Sequence, residues 1–149
     1  MPRAIKDTRV LLIEDERSVR EILKAIFEKL EVKEIEECPS AEYAWEALVG
    51  AKARPFDVIF VDLQLPGIGG RTFMKKLRAL PHPKAKTIPI VVLTSTNEPE
   101  TYKKLERYGI SAYLIKPVSV DVVRNALDKA LSGRVANTRP IPTPLREDF

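Results

Sequence analysis

The chain has 149 residues, 44% hydrophobic and 31% charged, with a formal net charge of +4, which suits one domain with a buried core and short extensions rather than two domains. No apolar run approaches the ~20 residues of a bilayer crossing, and residues 1–9 hold bases without an apolar stretch, so neither a membrane segment nor a secretory leader is expected and the expected compartment is the cytoplasm. A single cysteine, Cys38, excludes an internal disulfide; a single histidine, His82, excludes a multi-histidine metal site; and a mild charge with no aromatics interleaved among the bases argues against nucleic acid as a direct ligand.

After an N-terminal extension of residues 1–8, strand-like and helix-like segments alternate five times, the pattern of an α/β domain whose parallel sheet is wrapped by five helices. The domain is expected over residues 9–132. Val10-Leu-Leu-Ile13 is continuously apolar, as a strand buried on both faces must be. Val19, Ile22, Leu23, Ile26, Phe27 and Leu30 then recur at spacings of three and four, which predicts a helix with one apolar stripe. Glu34-Ile-Glu-Glu-Cys38 is charged enough for a strand at the sheet edge. Ser40 is placed to cap a second helix with Tyr43, Ala44, Ala47 and Leu48 on its inner face. A third strand, Val58-Ile-Phe-Val61, runs into Asp62 and the turn-rich Leu65-Pro-Gly-Ile-Gly-Gly70. The third helix turns Phe73, Met74 and Leu77 to one side, and Pro81-His-Pro83 ends it and opens a loop. A fourth strand is read over residues 88–93. Asn97 is placed to cap a helix that has Pro99 in its first turn and Gly109 just past its end. Ala112-Tyr-Leu-Ile115 is the fifth strand, and Ser119 caps a fifth helix that stops at Gly133. Residues 133–149 carry Pro140, Pro142 and Pro144 at alternate positions and read as an extended tail.

In an open parallel sheet, ligands bind beyond the carboxyl ends of the strands. There stand Glu14, Asp15 and Glu16 after the first strand, Asp62 after the third, Thr94 and Ser95 after the fourth, and Lys116 and Pro117 after the fifth. Carboxylates ~4 Å apart repel by about 4 kcal/mol per pair at an effective dielectric of ~20, so a cation must sit among them. Oxygen donors without His or Cys suit a hard divalent ion, and magnesium fits best. Lys116 adds a fixed positive charge. With both cations present Asp62 stays ionised and can attack phosphorus to form an acyl phosphate, while Thr94 offers its hydroxyl to the transferred group.

Four segments carry a family likeness. Ile13-Glu-Asp-Glu16, Val61-Asp-Leu-Gln-Leu-Pro-Gly67, Leu93-Thr-Ser95 and Tyr113-Leu-Ile-Lys-Pro117 resemble, in order and spacing, the signature segments of two-component response-regulator receiver domains. The resemblance implies a flavodoxin-like, doubly wound sheet of strand order 2-1-3-4-5. It implies a phosphorylation-dependent switch rather than an enzyme, one that catalyses its own phosphorylation and dephosphorylation. Asp62 would be the phosphoacceptor, with Mg2+ held directly by Asp15 and Asp62, through water by Glu14, and by the backbone carbonyl of Gln64. Thr94 and Tyr113 would form the switch pair and Lys116 would contact the phosphoryl group, while Gln64 and Thr96 would tune how long it lasts. The implied donor is a sensor histidine kinase or histidine phosphotransfer protein. The implied output is a downstream protein on the face of the fourth helix, fifth strand and fifth helix, around Tyr102, Lys103 and Arg107. The chain departs from family habit at Glu14, more often Asp, at Leu65, more often Met, and at Ser95, more often Ala or Gly.

No DNA-binding domain is expected in these residues. One alternative is the receiver portion of a longer regulator, with residues 133–149 as the linker to an output domain. Another is an aspartate-nucleophile phosphatase of the dehalogenase type. That chemistry needs a second Asp where Gln64 stands, and a nucleophile after the first strand rather than the third.

Overall fold

A computed structural model describes residues 4–133. A short 3-10 turn at Ile5–Asp7 leads into β1 (Arg9–Ile13), α1 (Arg17–Lys29), β2 (Glu34–Cys38), α2 (Ala41–Val49), β3 (Val58–Asp62) and α3 (Gly70–Arg78). A four-residue helix, α4 (Pro83–Lys86), precedes β4 (Ile90–Thr94) and α5 (Pro99–Leu105). A second 3-10 turn, Glu106–Tyr108, then leads to β5 (Ile110–Ile115) and α6 (Val120–Leu131). The five strands are all parallel, in the order β2-β1-β3-β4-β5. That is the expected α/β class and strand order.

Alternation along the buried strands divides the core into two layers. Val10, Leu12, Val58, Phe60, Val91 and Leu93 face α1 and α6, meeting Leu23, Phe27, Val123 and Leu127. Leu11, Ile13, Ile59, Val61, Ile90 and Val92 face the other way, against Ala44, Phe73, Met74, Leu77 and Leu105. Phe60 and Phe27 meet edge to face with centroids 5.1 Å apart. Removing the Phe60 ring would cost about 3–5 kcal/mol, because a fully buried aromatic leaves a cavity that its neighbours cannot fill. At the edge, β2 carries Glu34, Glu36 and Glu37 half-buried, as its charge predicts.

Helix starts follow the sequence where a serine is available. Ser40 Oγ accepts from Tyr43 N at 3.1 Å, and Ser119 Oγ accepts from Val122 N at 3.3 Å. Asn97 does not cap α5; the capping position falls on Glu98, whose side chain makes no cap bond, with Pro99 beginning the helix. Gly109 takes the left-handed conformation expected of it, φ 70°, and it follows a 3-10 turn rather than an α-helical one. Tyr43 is 56% exposed, contrary to its expected inner position. Ala44, Ala47 and Leu48 do face inward as expected, joined by Ala41 and by Trp45, which leans edge-on to Phe73 at 5.3 Å.

Among the described residues there are six helices rather than five. The segment after Pro81 was expected to be loop, but proline suits the first helical position, where its missing N–H is no loss. Pro83 sits there, and His82 Nδ1 accepts from Ala85 N at 3.4 Å. Among the described residues no helix is long and apolar enough to cross a membrane. The proline-containing tail falls almost wholly outside the described residues.

Candidate functional site

The carboxyl ends of β1, β3, β4 and β5 bring together the polar residues expected there. Glu14 N donates to Cys38 O at 3.0 Å, which carries the β1–β2 ladder one residue past the strand. Its side chain is fully buried. Asp62 ends β3 and is 2% exposed. The backbone beside it is pressed against the start of α3, where a Cβ on Gly70 would lie 2.5 Å from Asp62 O and 2.9 Å from Leu63 Cα. Only glycine allows that approach.

Lys116 closes the group from β5. Its backbone N donates to Thr94 O at 2.7 Å, and its peptide bond to Pro117 is cis. Its Nζ lies 3.0 Å from Glu14 Oε1 and 3.2 Å from Asp62 Oδ2. The contact to Asp62 is a hydrogen bond. The approach to Glu14 is off hydrogen-bonding geometry, which leaves Oε1 a buried acceptor with charge nearby and no directed donor. The other carboxylate oxygens are better served. Glu14 Oε2 accepts from Glu16 N at 3.1 Å, and Asp62 Oδ1 from Gln64 N at 2.9 Å.

Asp15 is exposed and completes a cluster with Glu14 and Asp62, in which one carboxylate oxygen from each lies within 4.8 Å of the others. Glu14 and Asp62 share the one ammonium, and Asp15 adds a third negative charge to the cluster. Burial, followed by the charge of Asp62, pushes the Glu14 carboxyl up to about 7, against the pull of Lys116 and of the Glu16 N–H. Burial works to lower the Lys116 pKa, but the carboxylates of Glu14 and Asp62 outweigh it and hold the ammonium above its usual range. Three clustered acids with one lysine beside them, and a buried acid pushed up to about 7, mark a site short of positive charge. An all-oxygen donor set of this kind fits a hard divalent cation such as magnesium.

Thr94 is fully buried, and its Oγ1 accepts from Thr96 N at 3.1 Å. Tyr113 is half-buried on β5, its ring edge-on to Tyr102 with centroids 5.3 Å apart. Its hydroxyl is shut off from water without a hydrogen-bond partner. Burial raises its pKa and the nearby Thr94 draws it partly back. Gln64 is exposed and reaches across the site entrance, where its Oε1 accepts from Ser95 Oγ at 3.1 Å and more weakly from Ser95 N at 3.4 Å.

Arg20 was not among the expected site residues. Its Nη1 donates to the carbonyl oxygens of Glu14, at 2.8 Å, and Asp15, at 3.2 Å, while Nε bonds Glu37 Oε1 at 3.2 Å. Lys24 shares Glu37 at 2.9 Å. The arginine therefore ties the acidic loop to edge strand β2 from the first turns of α1. Its only trace in the sequence is a base on the polar side of an amphipathic helix beside an acidic strand.

A doubly wound sheet with its acids, lysine and threonine gathered at the carboxyl edge is the architecture of a two-component signalling switch. Residues 10–128 match the response regulator receiver domain, and the chain belongs to that family. The sensory/regulatory protein RpfC of Xanthomonas campestris pv. campestris is 30% identical over 140 residues, 94% of this chain and 18% of RpfC. The probable C4-dicarboxylate response regulator DctR of Halalkalibacterium halodurans is 32% identical over 119 residues, 80% of this chain and 49% of DctR. The chain thus spans less than half the length of each of these curated relatives. The chemotaxis response regulator CheY4 of Vibrio cholerae superposes with a TM-score of 0.73 at 26% identity, over 84% of this chain and 99% of that one. Receiver domains are signalling switches, not enzymes in the usual sense, and they interact with histidine kinases or phosphotransfer proteins.

Proposed function

We propose that Asp62 accepts a phosphoryl group from a histidine kinase or histidine phosphotransfer protein. The observation that carries this reading is a buried carboxylate at a strand end, held 3.2 Å from Lys116 Nζ and within 4.8 Å of two further acids. In the transfer, an Asp62 carboxylate oxygen forms the bond to phosphorus as the bond from phosphorus to the donor imidazole breaks. Lys116 neutralises charge on the oxygens of the transferring group, and the hydrogen bond from Gln64 N holds the carboxylate in place. Glu14, Asp15, Asp62 and the carbonyl of Gln64 would hold Mg2+. When bound, the ion supplies the positive charge that the cluster lacks and clamps phosphoryl oxygens.

The readout follows from Thr94 and Tyr113. A phosphoryl group brings about 1.5 to 2 negative charges and strong acceptor oxygens. Thr94 leaves its bond to Thr96 N and donates its hydroxyl to them, which frees space for Tyr113 to turn inward. Tyr102 loses its ring contact with Tyr113, and the face of α5, β5 and α6 around Tyr102, Lys103 and Arg107 changes shape for a downstream protein. Gln64, clasped by Ser95, and Thr96 govern the access of water to the acyl phosphate and so its lifetime. The domain extends over residues 9–132 and works in the cytoplasm, where ATP-fed kinases operate.

The test is incubation with a small-molecule phosphodonor and Mg2+, read by intact mass. Wild type is expected to gain one hydroxylamine-labile phosphoryl group, with none in Asp62→Asn and none when a chelator replaces the metal. Undiminished labelling of Asp62→Asn would overturn the assignment.

A further inference from the structure

The bases of this chain are unevenly placed. Residues 63–97 contain Arg71, Lys75, Lys76, Arg78, Lys84 and Lys86 and no Asp or Glu, which leaves the remainder with 19 bases against 21 acids. Arg78 serves the fold, since its guanidinium turns inward to the carbonyls of Tyr108, Lys86 and Ile88 at 2.7, 2.9 and 2.8 Å. The other five are exposed along α3 and α4. Among the described residues, Arg71, Lys75, Lys76 and Lys86 have no ion-pair partner, whereas Arg9, Arg20, Lys24, Arg54 and Arg124 all face acids. Bases near a helix C-terminus favour the dipole, which accounts for Lys75 and Lys76. It does not account for Arg71, which stands in the first turn of α3, at the end that disfavours a cation, and four residues from the like charge of Lys75.

This stripe ends at a cavity of about 780 Å³. Leu48, Val49, Phe56, Ala85 and Ile88 form its apolar lining, and Lys84, His82 and Arg54 also border it. Asp57, in its wall, precedes β3, so the cavity lies at the opposite end of that strand from Asp62, roughly 15 Å away at the rise of an extended chain. Val49, on the cavity wall, is 49% exposed.

We propose that the cavity and the cationic stripe on α3 and α4 form a docking site for an acidic protein segment that carries an apolar anchor side chain. The anchor enters between Val49, Phe56 and Ala85 while flanking carboxylates meet Lys84, Lys86 and the α3 bases. Nucleic acid fits less well. The exposed bases are four lysines and one arginine, and the one aromatic between residues 63 and 97 apart from His82, Phe73, is buried, so no stacking platform is offered. An apolar cavity also has no counterpart in a phosphate backbone. This inference stands apart from the phosphorylation of Asp62 and would survive its failure.

The test pans a random dodecapeptide phage library on the full chain and, in parallel, on the variant Lys75→Glu, Lys76→Glu, Lys84→Glu, Lys86→Glu. All four positions are exposed and none belongs to the Asp62 site, so the variant is expected to stay folded, with a thermal midpoint lowered by the acids placed at the end of α3, and to keep its labelling at Asp62. Peptides enriched on wild type should carry Asp or Glu around one aliphatic or aromatic residue. A synthetic peptide of that consensus should shift the amide resonances of Val49, Phe56 and Ala85 and bind the variant at least about tenfold more weakly. An enriched set without acidic bias overturns the proposal. So do equal binding to the charge-reversed variant, resonance shifts confined to other surfaces, and tighter binding of a short DNA duplex at the same resonances.

Discussion

The two ends of the sheet hold charged residues out of water in opposite ways. At the amino end, Arg9 Nη1 donates to the carbonyls of Arg54 and Pro55 at 3.1 and 3.0 Å, and the guanidinium stacks on Phe56 with its carbon 4.0 Å from the ring centroid. Asp57 Oδ2 accepts from Arg9 N at 2.8 Å, and Glu34 lies 3.5 Å from Nε. There two arginines meet the acids and both carbonyls are served, although Arg9 Nε, 3.5 Å from Glu34, is itself buried without a hydrogen bond. At the carboxyl end, three acids face one lysine and a buried Glu14 oxygen has no directed donor. The balanced cluster fastens the β2–α2–β3 region to β1. The unbalanced one is short of positive charge, which the proposed Mg2+ would supply.

Breaking the balanced end should therefore cost stability and leave chemistry alone. Arg9→Ala loses two charge-assisted hydrogen bonds and a cation–π contact from a side chain 15% exposed. Denaturant titration should show a loss of about 3 kcal/mol, with Asp62 labelling intact. An unaltered stability would remove the contrast.

The unbalanced end should behave in the reverse sense. The Glu14 carboxyl, ordinarily near 4.5, is held at about 7 in the folded chain, so the folded state binds the proton more tightly than the unfolded state. Its stabilising contribution is complete below about 4.5 and is lost as the pH rises through about 7. In chelator, the wild-type thermal midpoint should fall across that interval, and Glu14→Gln should flatten the fall. Equal slopes in the two proteins would mean that Glu14 is not the group responsible.

A smaller effect is expected between the two ends. Arg20→Ala removes the donor that holds the Glu14 and Asp15 carbonyls, and calorimetric titration should show Mg2+ binding weakened about tenfold. Glu37→Gln, which leaves those carbonyl bonds in place, should weaken it less. Smallest of all is the effect at Cys38, whose thiol burial pushes up to about 12. A thiol reagent at neutral pH should leave it unmodified until the chain unfolds, and rapid labelling of the native protein would contradict that burial.

Most of this was legible in the residues. Hydrophobic period separates helix from strand, continuous apolar runs mark strands buried on both faces, and the parallel class directs attention to the strand ends where Glu14, Asp15, Asp62, Thr94 and Lys116 stand. Local patterns were weaker where two readings share one signal. Tyr43 lies near the apolar stripe of α2 but on the solvent side of it, and prolines that end one helix can begin the next, as Pro83 does.

What the sequence by itself determined is the element order, the sheet's two buried faces and the identity of the acids at its carboxyl edge, because each follows from short-range periodicity and from residue type. The tertiary structure alone decided which long side chains reach across elements: Arg20 to the acidic loop, Arg78 to the end of the turn before β5, Arg9 to the carbonyls before β3, and Gln64 to Ser95. It also decided that Lys116 meets both Glu14 and Asp62. Such contacts depend on the distance between packed elements and on flexible stems several bonds long, and no spacing along one strand or helix encodes them.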